Sequence, residues 1–172
     1  IFFTPRRISL SIAASIVLLL GVFSIFNLTT PGYEEAFTAY YTPYDGVVNT
    51  RGEETALDEG ITAYHEKRYA DATSLLTEQK SIDGITNGQQ YLLIASCYLE
   101  LDKPDKSLEW LSKIAASESS LIIANQKWYQ SLAYLLKDDI TKSKQILKEL
   151  AEGKSAYQNR ASQLLKEEVF QD

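Results

Sequence analysis

Leu76, Leu111 and Leu147 stand 35 and 36 residues apart, and the register that aligns them aligns more than leucine. It places Tyr69, Pro104 and Ile140 in one column at the start of a helical stretch, and Ala72, Ser107 and Ser143 in a column of small residues a little further on. Small side chains at a fixed place in a repeating helix mark where two helices come close. A period near 34 residues, with a helix–turn–helix unit, predicts a stacked array, because one hairpin cannot bury its own apolar face and must lean on the next. The centre of the array is the stretch 91–114, YLLIASCYLELDKPDKSLEWLSKI, read as two helices around a corner at Asp102–Pro104. Its first half, Tyr91–Leu101, is apolar nearly all round, as a helix held between two neighbours must be.

Taken in order, the first hairpin is expected over about Glu54–Lys67 and Tyr69–Gln79, opened by a capping-box pair, Thr50 and Glu53. Residues 81–88, SIDGITNG, read as a loop. The second hairpin is expected over Gln89–Leu101 and Pro104–Ala116, with Pro104 in the first turn, where no ladder hydrogen bond is lost. The third covers Ser120–Lys137 and Asp139–Ala151, stopped by Gly153. A last helix, Ala156–Val169, starts at Ser155 and Gln158 and carries one apolar stripe of Tyr157, Ala161, Leu164 and Leu165. A one-sided helix after an array predicts a cap that shields the last unit from water. The expected domain is therefore 53–169, with units of about 53–80, 88–116 and 120–152 and a cap at 155–169. The fold class is all-α.

Ahead of the array, residues 8–28 carry no charge for 21 positions, about 31 Å of helix, enough to cross a bilayer core. Arg6 and Arg7, in the short flank 1–7, precede the run, and Glu34 and Glu35 follow it. The positive-inside rule places such an N-terminus in the cytoplasm and the array outside. A cleaved signal peptide is the competing reading, but the run offers no short apolar core with a small-residue cleavage site. No methionine occurs, so the chain is expected to continue upstream of Ile1. The connector, 29–52, breaks at Pro31–Gly32 and then gathers Phe37, Tyr40, Tyr41 and Tyr44 at helical spacing before Pro43 and Gly46 end the run. Those aromatics read either as an interfacial belt or cover for the array, or as a docking patch for a partner.

Chemistry is sparse. All 23 acidic residues but only 15 of the 17 basic ones follow Gly32, a net −8, and no basic stripe offers itself to nucleic acid. His65 is the only histidine and Cys97 the only cysteine, which rules out a multi-histidine or cysteine zinc site and any internal disulfide. The paired carboxylates Glu34–Glu35, Glu53–Glu54, Asp138–Asp139 and Glu167–Glu168 fall at helix ends or solvated faces rather than in a shared cleft. No nucleophile, base and orienting group assemble, so the expectation is a protein that is not an enzyme, with no metal, no cofactor and no small-molecule substrate.

Gly60, Tyr64, Tyr69 and Ala72 of the first unit, Tyr91, Ala95 and Tyr98 of the second, and Tyr134 of the third stand at the small and aromatic positions of tetratricopeptide repeats, which residues 53–169 resemble. The third unit departs from the pattern at Ser131 and Ser143. The resemblance implies a superhelix whose concave face is lined by the first helix of each unit. It assigns that groove to Leu57, Ile61, Tyr64 and His65, then Leu92, Ser96 and Leu99 with Gln89, then Trp128, Leu132 and Leu135 with Asn125. Leu57, Leu92 and Trp128 stand where a carboxylate clamp would need basic or amide groups, so an apolar peptide or amphipathic helix suits the groove better. The alternative is that the connector, Phe37 to Tyr44, folds back and fills it. Arginines, one span, the connector YYTPYDGVVNTRGE, three repeats and a cap together resemble Gram-negative, single-pass inner-membrane proteins, several of which look like anti-sigma-factor-like regulators with the repeats in the periplasm.

Two functions are therefore expected. One is a membrane-anchored module that binds a protein or peptide in its groove and couples to a cytoplasmic domain. The other is a structural accessory of an envelope or secretion-type assembly, binding through its connector and convex face.

Overall fold

A computed structural model describes residues 32–46 and 59–171, and within them every regular element is helical. The elements are α1 (Gly32–Tyr40), α2 (Glu59–His65), α3 (Tyr69–Glu78), α4 (Asn87–Glu100), α5 (Pro104–Leu111), α6 (Ser120–Leu136), α7 (Ile140–Glu152) and α8 (Gln158–Leu164), followed by a 3₁₀ turn at Glu168–Phe170. Among these residues no helix is long and apolar enough to cross a membrane. The expected span 8–28, the Thr50–Glu53 capping pair and Leu57 lie outside the described residues.

Each helix from α3 to α8 packs on its predecessor, while α1 packs on α6 and the 3₁₀ turn. The corner between the two helices of each hairpin has its middle residue in the left-handed region: Lys67 at φ 60°, Asp102 at 54° and Asp138 at 58°. At each corner the middle amide bonds the carbonyl three residues back, and the next amide bonds the carbonyl five back: Lys67 to Tyr64 and Arg68 to Ala63, Asp102 to Leu99 and Lys103 to Tyr98, Asp138 to Leu135 and Asp139 to Tyr134. This is the Schellman closure, which satisfies helix-end carbonyls and reverses the chain in three residues. A left-handed non-glycine residue is strained, and aspartate tolerates the region better than most. The columns of the repeat are the core. Leu76, Leu111 and Leu147 are wholly buried, and so are Ala72, Ser107 and Ser143.

The units are also lashed by a pair of glutamines 36 residues apart. Gln90 Nε2 donates to the carbonyls of Leu76 at 2.8 Å and Gln79 at 3.0 Å, and Gln126 Nε2 donates to the carbonyl of Leu111 at 2.8 Å. In each case the first helix of one unit caps the end of the second helix of the unit before it. Such helix-end carbonyls have no partner within their own helix.

Several expected boundaries move. The segment 81–88 is not all loop, because Thr86 and Gln89 form a full capping box and α4 begins at Asn87. The Glu118 carboxylate reaches back to the Gly88 amide at 3.1 Å, and a Cβ at Gly88 would stand 2.8 Å from that carboxylate and from Ile122. Helix α5 ends at Leu111 rather than Ala116, and Ile114 is turned under into the core. The last helix is shorter than expected. It closes at Leu164, Glu167 is extended, and a 3₁₀ turn brings Phe170 back to 2% exposure, with Lys144 donating to the Phe170 carbonyl at 2.5 Å. The break lets a second large apolar side chain return to the stack. Tyr157 stacks on Trp128 with rings 4.9 Å apart and 11° from parallel, and Ala161 and Leu164 are wholly buried, so this region covers α6 and α7.

Candidate functional site

The connector is the feature to which the four alternate helices are all turned. Helix α1 stops at Tyr40 because Pro43 forces the residue before it out of the helical region and has no amide to continue a ladder. Residues 41–46 then run without regular structure; the Tyr41 amide still closes the helical bond to the Phe37 carbonyl at 2.7 Å, but Tyr44 leaves the expected helical alignment. Phe37 and Tyr41 still stack, with rings 4.8 Å apart.

An irregular segment must find partners for its amides and carbonyls wherever it is buried, and here side chains supply them. Arg160 of α8 donates to the Tyr40 carbonyl at 2.6 Å, and Tyr129 of α6 donates to the Thr42 carbonyl at 2.9 Å. The Tyr44 amide donates to Ser96 Oγ of α4 at 3.1 Å, and Tyr64 of α2 donates to the Tyr44 carbonyl at 2.7 Å. Gln89, at the start of α4, donates to the Gly46 carbonyl at 3.2 Å. Five side chains from four helices thus hold main-chain atoms of a seven-residue stretch. Each of α2, α4, α6 and α8 contributes.

Two side chains of the segment turn inward. The Tyr41 hydroxyl lies 3.0 Å from Ser96 Oγ and donates to the Ser96 carbonyl at 3.2 Å. Tyr44 is buried to 5% exposure, and both rings meet Tyr129 edge-on, at 6.3 and 6.2 Å. Ser96 is the hub, since the Tyr64 hydroxyl is also 3.0 Å from its Oγ. Thr42, Pro43, Asp45 and Gly46 are exposed. At the other edge the Tyr40 hydroxyl donates to Glu167 at 2.7 Å. Burial pushes the phenols of Tyr41, Tyr64 and Tyr129 far above their ordinary range and that of Tyr44 up to about 12. Tyr40 is raised chiefly by its bond to the Glu167 carboxylate. These are neutral hydrogen-bonding phenols rather than acids or bases poised for neutral pH.

The residues assigned to the groove separate into two sets. Tyr64 and Ser96 hold the connector, with Gln89 beside them. Ile61, Leu92, Leu99, Trp128, Leu132 and Leu135 have at most 3% exposure and are core in this conformation. His65 is exposed at the edge of the Tyr64 ring. Of the connector patch, Tyr44 is buried while Phe37, Tyr40 and Tyr41 are partly covered against the core. Asn125 accepts from the Tyr157 hydroxyl at 2.6 Å and donates to the Leu121 carbonyl, which ties the cap to α6. Tyr129 and Arg160 went unassigned. Tyr129 follows a tryptophan that draws attention to itself, and Arg160 sits on what reads as the polar face of the cap. The signal that could have found Arg160 is its place four residues after Ala156 and one before the buried Ala161, at the margin of the apolar stripe.

Cys97 is wholly buried, and burial raises its thiol to about 12, so it behaves as a small apolar side chain. Among the described residues no three acidic, histidine or cysteine side chains come close enough to hold a metal ion.

The class these features define is an all-helical hairpin protein whose alternate helices hold an irregular segment of the same chain by its main-chain atoms. No family model, no curated protein and no solved structure matches the chain.

Proposed function

We propose that this chain is a membrane-anchored protein-interaction module of the tetratricopeptide type, whose concave row of side chains recognises an extended polypeptide. The observation that carries the reading is the grip on residues 40–46. Its donors and acceptor come from α2, α4, α6 and α8, and every one of them addresses the main chain. Main-chain recognition by preplaced side chains gives affinity with little demand on sequence, the economy of a peptide groove. The repeat register of the three corners supports the tetratricopeptide assignment. The charge-free run 8–28 behind two arginines supports a single span with the array in the periplasm of a bacterial inner membrane. Coupling to an upstream cytoplasmic domain completes the proposal.

One observation favours the second reading, a structural accessory that binds through its outer surface. The concave row is covered by the chain itself, while a cavity of about 660 Å³ lies open on α7 beside the 3₁₀ turn, lined by Ile140, Lys144, Lys148, Val169 and Phe170 among others. Photo-crosslinkers placed singly at His65, beside the concave row, and at Lys148, on the outer cavity, separate the two in native membranes. Adducts to another protein from His65 support the groove reading. Adducts confined to Lys148 replace it with the accessory reading, and no adduct from either position refutes both.

A further inference from the structure

We propose that the seat of residues 40–46 is an exchangeable site selective for an extended Tyr-x-x-Tyr-x-Gly segment, and that a partner protein carrying such a segment displaces the connector. This deepens the interaction-module reading and rests on it. The selectivity follows from which atoms of the present occupant are read. Main-chain contacts ask nothing of side chains, whereas Tyr41 and Tyr44 ask for tyrosine. The Tyr41 hydroxyl bonds Ser96, and a site built around a hydroxyl rejects the analogue without it, because its own buried polar atoms lose a partner. Tyr44 is buried with its ring edge-on to Tyr129. The ring folds back over the residue two places on, so that a Cβ at Gly46 would stand 2.3 Å from the Tyr44 hydroxyl oxygen and 2.4 Å from Cζ. Only glycine fits beneath it. The positions of Thr42, Pro43 and Asp45 are exposed and free to vary.

Exchange follows from how the segment is held. From Tyr41 to Gly46 it belongs to no helix, and among the described residues the partners of its main chain between Thr42 and Gly46 are all side chains, so its departure breaks no backbone ladder of the array. Its advantage is its tether. Covalent attachment to the array gives an effective concentration of about millimolar, so a free segment with the same contacts competes poorly until the connector is weakened. A partner held to the same membrane gains a comparable advantage.

The test uses the full chain in detergent micelles and a fluorescent peptide of the connector sequence, TAYYTPYDGV, with binding read by anisotropy. Two variants weaken the connector in different ways: Gly46→Ala, which dislodges the Tyr44 ring and leaves the array untouched, and the double change Tyr41→Ala with Tyr44→Ala. The peptide is expected to bind at least one variant tenfold or more tightly than the parent chain, with helicity by circular dichroism unchanged. A peptide with the tyrosines of positions 41 and 44 replaced by alanine, or with its glycine replaced by alanine, is expected to bind at least tenfold more weakly. Failure of every variant that stays folded to take the natural peptide at 1 mM overturns the proposal, and loss of helicity in both variants overturns it by making the segment part of the core. Equal binding of natural and substituted peptides overturns the selectivity while leaving the module reading intact. A variant that self-associates and excludes the peptide assigns the seat to a second copy of the chain and overturns the partner assignment.

Discussion

Replacing Ser96 with alanine isolates the grip on the connector, because one oxygen holds three partners in a place with no exposure. Two of the partners keep a bond when it goes. Tyr64 still donates to the Tyr44 carbonyl at 2.7 Å, and Tyr41 still donates to the Ser96 carbonyl at 3.2 Å. The Tyr44 amide keeps none, since Ser96 Oγ is its one acceptor among the described residues. A buried amide stripped of its acceptor costs about 1–3 kcal/mol, and the loss of shared phenol contacts adds up to ~1 kcal/mol. Alanine is the better helix former by about 0.5 kcal/mol, which favours α4 but not the docked segment. The connector should therefore open more readily by about 2–3 kcal/mol, a factor of roughly 30–150. Amide hydrogen exchange read residue by residue measures this directly. The Tyr44 amide is expected to exchange faster by that factor, while the Leu93 and Ile94 amides in the core of α4 change less than about threefold. An unaltered Tyr44 amide refutes the assignment of Ser96 as the hub. Equal acceleration at Leu93 and Ile94 refutes the separation of connector from array.

Trp128→Ala should cost about 3–5 kcal/mol, because the indole is wholly buried and stacked on Tyr157; a thermal melt that barely moves would show the cap to be undocked in solution. Ser107→Ala and Ser143→Ala should each raise stability by up to about 1 kcal/mol, since among the described residues neither buried hydroxyl has a hydrogen-bond partner and the column requires only small size. Denaturant midpoints that fall instead would mean those hydroxyls are bonded. Stability should drop on the alkaline side: Tyr41, Tyr44, Tyr64, Tyr129 and Cys97 all hold their protons more tightly folded than unfolded. Below about pH 8 both states keep those protons and the contribution is complete; the unfolded thiol is the first to let go, near pH 9. As pH rises through 10 the unfolded state releases them first, and each group lowers stability by about 1.4 kcal/mol per pH unit. Ionisation of Tyr41, Tyr64 and Tyr129, followed by their own ring resonances, should therefore appear together with loss of helicity, and ionisation of these three in a fully helical chain would contradict their burial.

The hairpins were legible because their signals are local and repeated. Tyr69, Pro104 and Ile140 begin helices as their column predicts, and Leu76, Leu111 and Leu147 are buried as theirs requires. The Thr86–Gln89 capping box was written in the same plain form, yet it hid inside a run of turn residues, Asp83-Gly84 and Asn87-Gly88. The Gln90–Gln126 lashing obeys the repeat too, but a glutamine in a helix looks solvent-facing until the carbonyl it caps is placed beside it. The site was less legible for a different reason. Tyr64 and Ser96 lie on the expected face, but their partners are main-chain atoms 20 and 52 residues away, and main-chain atoms leave no mark on composition. Trp128 and Tyr129 differ by one position and by a little over a quarter-turn of helix. A pattern of apolar spacing puts the first in the core and cannot say that the second carries the bond to Thr42.

The order in which the connector meets its holders also sets how it responds to force. Tension entering from the residue 32 side would load α1 first, then Arg160, then Tyr129, and only afterwards Ser96, Tyr64 and Gln89. Bonds loaded one after another peel like a zip and yield to a gentle pull, whereas tension from the far end meets the most crowded anchorage at once. The same strap is thus a soft release in one direction and a firm stop in the other.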